Sequence, residues 1–243
     1  MRMAMEKKLL HLYDDVMNLY GEYANVAVLA RHLRDLGFQV QVETLSLYET
    51  KDISGYDFYY MGSGTERKQK LALTQLMQYR EALTAACDEG KTMLFTGNSF
   101  ELLGRTVTDA AGNSYNALGL ADFTTVESKR RITGDCIMSF DGFPEPLVGF
   151  INKCSRTCGV KTPLFQTQMG FGNEAEGGTE GFRKNNCLGT HLTGPMLVKN
   201  PAMLRYVASL LGAEHPEQVR YDFMEKGYET TVSELTKRME AMK

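Results

Sequence analysis

The sequence predicts an α/β fold: a three-layer sandwich built on a mostly parallel, doubly wound sheet with an antiparallel extension. Three observations carry this. Short apolar runs of strand length alternate with stretches of helical periodicity through the first part of the chain. The stretch Lys91–Arg105, KTMLFTGNSFELLGR, condenses the pattern into a strand, a tight turn and a helix-like segment. Beyond Asp109 the texture changes to short strand candidates separated by Gly, Pro and Asp, the mark of a meander or hairpin extension.

Taken in order, Leu9–Tyr13 reads as a first strand and Asp14–Gly21 as a turn. Glu22–Leu36 is an amphipathic helix, because Val26, Leu29, Ala30, Leu33 and Leu36 recur at helical spacing and Gly37 stands at the C-cap. Phe38–Leu45 alternates, with Val40 and Val42 on one face, and Tyr56–Met61 is a third strand ending in Gly62-Ser63-Gly64. A helix over Arg67–Glu89 stops at Gly90, and Thr92–Thr96 is the next strand. In parallel sheets of this kind ligands bind beyond the carboxyl ends of the strands, here Gly62–Thr65 and Thr96–Ser99. Asp109–Tyr115 is a turn-rich loop. Ala121–Glu127, Gly134–Phe140, Val148–Lys153 and Leu164–Met169 are short strand candidates, and Gly170–Gly181 is a polar, exposed loop. Asn186–Leu192 is a last strand, followed by Thr193-Gly194-Pro195, and Asn200–Leu211 is a helix. Residues 1–212 read as one domain and 213–243 as a C-terminal helical tail, free to pack on the body or on a partner.

Composition narrows the function classes. The chain has 243 residues, 43% hydrophobic and 23% charged, with a formal net charge of -3, so nothing points to nucleic acid. No apolar run approaches the roughly 18 residues of a membrane span, and the apolar run near the N-terminus is too short for a signal peptide. Five cysteines without a disulfide framework read as reduced thiols in a cytoplasmic protein. Cys154 and Cys158 form a lone C-x3-C, which lacks the second ligand pair of a zinc site, and Cys87, Cys136 and Cys187 read as small core residues. No cofactor motif stands out, and no metal is expected.

The turn Thr96-Gly97-Asn98-Ser99 has the form of a nucleophile elbow. In such elbows a Ser or Cys sits at the apex, with amide N–H groups at the start of the following helix to hold an oxyanion. Here the apex carries Gly97.

The order of motifs resembles the class I glutamine amidotransferases of the cobyric-acid-synthase (CobB/CobQ-like) type. The segments that carry the likeness are Asn18-Leu19-Tyr20 with the following helix, Asp57–Gln69 (DFYYMGSGTERKQ), Lys91–Gly104, Arg131–Asp135, Gly149–Thr157, Gly170–Asn173 and Leu188–Pro201 (LGTHLTGPMLVKNP). The resemblance implies a flavodoxin-like core. It also implies the company of a Mur-ligase-like ATP-dependent subunit, in cell-wall precursor amidation or a related pathway. It places the family's nucleophilic Cys at Gly97 and its catalytic His at Thr193. Gly62, Ser63 and Gly64 match the loop that supplies an oxyanion-hole amide, Asn98 matches the second donor, and Arg131 and Arg156 match arginines near the cleft.

Glutamine hydrolysis by this chemistry needs a thiolate to attack the amide carbon and an imidazole to move protons. Gly97 has no side chain, and Thr193 accepts no proton near neutral pH. The chain is therefore expected to lack glutaminase activity and to serve as a non-catalytic partner. Two other readings stand beside this one. Displaced residues could restore catalysis: His191, two positions before Thr193, Ser99, or a loop cysteine. Alternatively, the chain could be a free-standing binder of glutamine or another amino acid.

Overall fold

A computed structural model describes residues 5–174 and 177–242. The strands and helices run in the order β1 (Glu6–Leu12), α1 (Tyr23–Asp35), β2 (Gln39–Leu45), β3 (Phe58–Met61), α2 (Glu66–Leu76), α3 (Arg80–Asp88), β4 (Thr92–Thr96), β5 (Thr106–Thr108) and β6 (Ser114–Asn116). They continue as β7 (Thr124–Phe140), β8 (Phe143–Cys158), β9 (Phe165–Met169), β10 (Thr179–Glu180), β11 (Phe182–Lys184), β12 (Cys187–Thr190) and β13 (Leu192–Thr193). The chain closes with α4 (Met196–Lys199), α5 (Pro201–Leu210) and α6 (Asp222–Ala241).

The first sheet has the order β11-β12-β4-β3-β1-β2, and every pairing is parallel except that of the edge strand β11 with β12. Side chains alternate across it, as strand geometry requires. Leu9, Phe58, Tyr60, Leu94 and Leu188 face α1 and α5, meeting Val26, Leu29, Leu33, Leu204 and Val207. Leu10, Tyr59, Met61, Met93 and Phe95 face α2 and α3, meeting Leu73, Leu76, Leu83 and Cys87. The three layers follow from that alternation: both faces of each inner strand are apolar, so both must be covered.

The antiparallel extension is a sheet of its own, dominated by the pairing of β7 with β8. Here the short strand candidates differ from what forms. Ala121–Glu127 and Gly134–Phe140 are parts of one 17-residue strand, and Val148–Lys153 is the middle of a 16-residue one. The polar run Ser128–Arg131, which reads as a break, is a bulge: it lies between the pairs Glu127–Ser155 and Ile132–Lys153, opposite Cys154 alone. Elsewhere the differences are smaller. The Arg67–Glu89 helix is two helices joined by a 3₁₀ turn at Met77–Tyr79. The segment after the elbow is 3₁₀ helix over Gly97–Leu103. The loop Gly170–Gly181 is less exposed than its composition suggests, since Asn173 and Glu180 are buried; its residues 175–176 lie outside the described residues.

The tail packs on the body. Tyr228, Val232, Leu235 and Met239 of α6 lie against Ile137, Val148 and Met169 of the antiparallel sheet, and Tyr228 Oη donates to Pro146 O at 2.7 Å. Position 243, at the end of the tail, lies outside the described residues.

Candidate functional site

The elbow is preserved as backbone. Fully buried β4 delivers the chain to Gly97, whose φ of +61° is the left-handed conformation that glycine adopts without steric cost. A Cβ placed on Gly97 would lie 2.4 Å from Ser63 Cβ, 3.0 Å from Ser63 Oγ and 3.1 Å from Thr193 Cγ2. The volume a nucleophile would fill is occupied by two neighbours. Ser63 arrives from the turn between β3 and α2. Its Oγ is buried and has no hydrogen-bond partner among the described residues. Thr193 arrives on β13, where its hydroxyl donates to Phe150 O at 3.1 Å and its methyl group points at Gly97.

The last amide of the Gly62-Ser63-Gly64 turn is engaged within the chain. Asn98 Oδ1 accepts from the Gly64 N–H at 3.0 Å, and Asn98 Nδ2 donates to Gly64 O at 2.9 Å. The two glycines of the turn are required by close packing. A Cβ on Gly62 would lie 2.6 Å from Met17 O, and one on Gly64 would lie 2.5 Å from Met17 Sδ.

The residues considered as substitutes are placed as follows. Ser99 is fully buried, with its hydroxyl 2.8 Å from both Met61 O and Thr96 O. His191 lies between β12 and β13, where the strand alternation that would align it with Thr193 is interrupted. Its Nδ1 is 3.1 Å from Glu180 Oε1, its Nε2 is 3.6 Å from Glu101 Oε1, and the Phe100 ring meets it edge to face. Cys154 Sγ donates to Glu66 Oε1 at 3.3 Å, and burial together with that carboxylate pushes its thiol up to about 12. It is therefore a thiol rather than a thiolate at neutral pH. Cys158 is also raised by burial.

Beside the elbow opens a cleft of about 160 Å³, lined among others by Tyr20, Ser63, Asn98, Glu66, Glu101 and Arg131. Gly97, Ser99, His191 and Thr193 are not part of its wall. Arg131 pairs with Glu66 and donates to Asn152 Oδ1 at 2.9 Å, while Asn152 Nδ2 donates to Tyr20 Oη at 2.8 Å. Burial raises Glu66, but Arg131, its own backbone N–H and Cys154 together outweigh it, and the net carboxyl pKa is below the usual value. Glu101 behaves alike: burial opposes ionisation, and His191, Ser155 and Gln69 together hold it down. Glu127, paired with Lys70, stays raised because burial dominates. Arg156 lies outside this cleft, in an open groove next to it.

Sequence reasoning passed over Glu22. This carboxylate is fully buried beneath the elbow. Tyr60 Oη donates to its Oε2 at 2.5 Å, Thr96 Oγ1 donates to the same oxygen, and the Gly194 N–H donates to Oε1 at 2.7 Å. It thus joins β3, the last residue of β4 and the turn after Thr193. Burial pushes its carboxyl pKa up, against the pull of those donors. Glu101 was passed over as well, although a lone charge inside the apolar run Phe100–Leu103 was a visible signal. Among the described residues no three His, Cys, Asp or Glu side chains are grouped to hold a metal ion, and no helix is long and apolar enough to cross a membrane.

Residues 8–201 match the CobB/CobQ-like glutamine amidotransferase domain. The chain is 30% identical to subunit GatD of the glutamine-hydrolyzing lipid II isoglutaminyl synthase of Staphylococcus aureus, over 83% of each chain. It is 28% identical to the same-named subunit of Streptococcus pneumoniae, over 86% of this chain and 82% of that one. Among solved structures, a glutamine amidotransferase superposes with a TM-score of 0.56 at 14% identity, covering 84% of this chain and 98% of that one. A chain of the PurLQS structure from Thermotoga maritima superposes with a TM-score of 0.52 at 13% identity, covering 94% of this chain and all of that one. These superpositions agree with the fold, and the family match together with the GatD likeness identifies the chain as a member of the CobB/CobQ-like glutamine amidotransferase family.

Proposed function

We propose that this chain is a GatD-like subunit that has lost glutaminase chemistry. In this reading it serves as a non-catalytic partner of a Mur-ligase-like ATP-dependent protein in the amidation of a cell-wall precursor in the cytoplasm. The observation that carries the proposal is the elbow apex: Gly97 has no side chain, and the space for one is taken by Ser63 and Thr193. An amide carbon entering this site would meet neither a nucleophile nor a base. The engagement of the Gly64 amide by Asn98 supports the same reading, because that donor is already paired.

Weighing against catalysis by displaced residues are the hydrogen bonds of Ser99, the enclosure of His191 between two carboxylates, and the raised thiol of Cys154. Binding without turnover remains part of the proposal. The cleft, where the Ser63 hydroxyl has no partner among the described residues, offers polar contacts to glutamine or another amino acid.

The test is glutamate release from glutamine by the purified chain, with and without a Mur-ligase-like partner. The expected result is no turnover above the buffer rate. Simple reinstatement by Gly97→Cys with Thr193→His should also fail, because the new Cβ would collide with Ser63. Adding Ser63→Gly removes that collision and is expected to bring measurable turnover. Turnover by the unaltered chain, abolished by His191→Ala, would contradict the proposal.

A further inference from the structure

A second, larger groove of about 690 Å³ adjoins the cleft on the antiparallel sheet. Its wall includes Arg130, Arg131, Arg156, Thr133, Phe171 and Glu174. The bulge builds one side of it. Four residues, Ser128-Lys129-Arg130-Arg131, crowd opposite Cys154 alone, so three consecutive cations are thrust out of the ladder at one point. Ser128 fixes the bulge, its Oγ accepting from the Arg130 N–H at 3.2 Å and donating to Arg130 O at 3.0 Å. Bulges of this kind re-aim side chains near functional sites.

The three guanidiniums are not equally committed. Arg131 is spent on Glu66 and Asn152. Arg156 has only a loose pairing with Glu174, 3.6 Å apart with both side chains more than half exposed. Arg130 has no side-chain partner among the described residues. Among the described residues the groove thus holds three arginines against one carboxylate, in a chain whose formal net charge is -3. Opposite them lies Phe171, whose ring packs over Gly134: a Cβ there would meet it at 2.8 Å. Lys153, buried behind the groove, donates to Gly172 O and Asn173 O at 2.6 and 2.8 Å and so holds the segment that carries Phe171.

We propose that this groove binds a phosphorylated small molecule, with the phosphate held by Arg130 and Arg156 and an apolar or ring portion against Phe171. Guanidinium forks match phosphate oxygens two at a time, and two underused forks supply more donors than a single carboxylate can accept. The proposal does not depend on the loss of glutaminase activity, since neither arginine belongs to the elbow.

Inorganic pyrophosphate, titrated calorimetrically into the intact chain at low ionic strength, is the probe. Saturable binding is expected, weakening as salt is added. Arg130→Ala and Arg156→Ala should each weaken it by about tenfold or more, and the double variant should abolish it. Both side chains are exposed, so the melting temperature should not move. Arg105→Ala, at an exposed pair with Asp122 elsewhere, should bind like the unaltered chain. Absence of saturable binding would overturn the proposal, as would unchanged affinity in the double variant. Displacement of pyrophosphate by a glutamate-rich peptide at equal affinity would also overturn it, reassigning the groove to an acidic polypeptide.

Discussion

The elbow and the cleft beside it are adjacent, yet they are built from opposite materials. At the elbow the decisive contacts are steric: the Ser63 side chain and the Thr193 methyl fill the space next to Gly97, and the carboxylate beneath, Glu22, meets only neutral donors. In the cleft the decisive contacts are ionic: Glu66 meets Arg131 and Glu127 meets Lys70. Two carboxylates buried alike can therefore shift in opposite directions. Burial wins for Glu22, which is raised, and a facing imidazole with two further donors wins for Glu101, which is lowered. One region has closed by packing, while its neighbour keeps its charged walls.

The largest effect that would break this comparison is at Glu22. Glu22→Ala strands the Gly194 N–H in the core, removes the shared acceptor of Tyr60 Oη and Thr96 Oγ1, and should destabilise the fold by about 3–5 kcal/mol in urea unfolding. A loss under about 1 kcal/mol would mean that the network contributes little. Next is Gly97→Ala, expected to cost about 2–4 kcal/mol from the left-handed backbone and the collision with Ser63. Combined with Ser63→Gly, the cost should fall to the backbone part alone, about 1–2 kcal/mol. Additive effects would show that Ser63 does not fill the apex.

The smallest effect sharpens the contrast between the two carboxylates. Because Glu22 is raised above its ordinary 4.5 in the folded chain, its contribution is fully present below pH 4.5 and is lost as pH rises through the raised value. Because Glu101 is lowered below 4.5, its contribution is present above pH 4.5 and is lost as pH falls through the lowered value. Glu22→Gln should therefore flatten the melting-temperature profile on the alkaline side of pH 4.5, and Glu101→Gln on the acid side. Matching profiles for the two variants would contradict the assignment.

Much of the parallel half was legible. Its strands are apolar runs bounded by Gly or turn residues, and α1 shows its buried face at helical spacing. The β7–β8 hairpin was not legible at full length, because Ser128–Arg131 is polar and unpaired in register, and a bulge inside a strand looks like a loop between two. At the site, the lack of a side chain at Gly97 and of an imidazole at Thr193 could be read directly. What fills the gap could not, because the approach of Ser63 to Gly97 joins residues far apart in the chain through tertiary packing. In the sequence Glu22 is only the first residue of a helix, and the convergence of Tyr60, Thr96 and Gly194 makes it a core residue. The surroundings of His191 were not legible either, because it sits at the break between β12 and β13, where the two-residue alternation of a strand is interrupted.

The central claim is that the apex of the elbow is filled rather than merely empty. Its most direct test is glutamate release from glutamine by three proteins measured side by side: the unaltered chain, Gly97→Cys/Thr193→His, and the same pair with Ser63→Gly. Turnover is expected only in the third. Turnover in the unaltered chain, or equal turnover with and without Ser63→Gly, would contradict it.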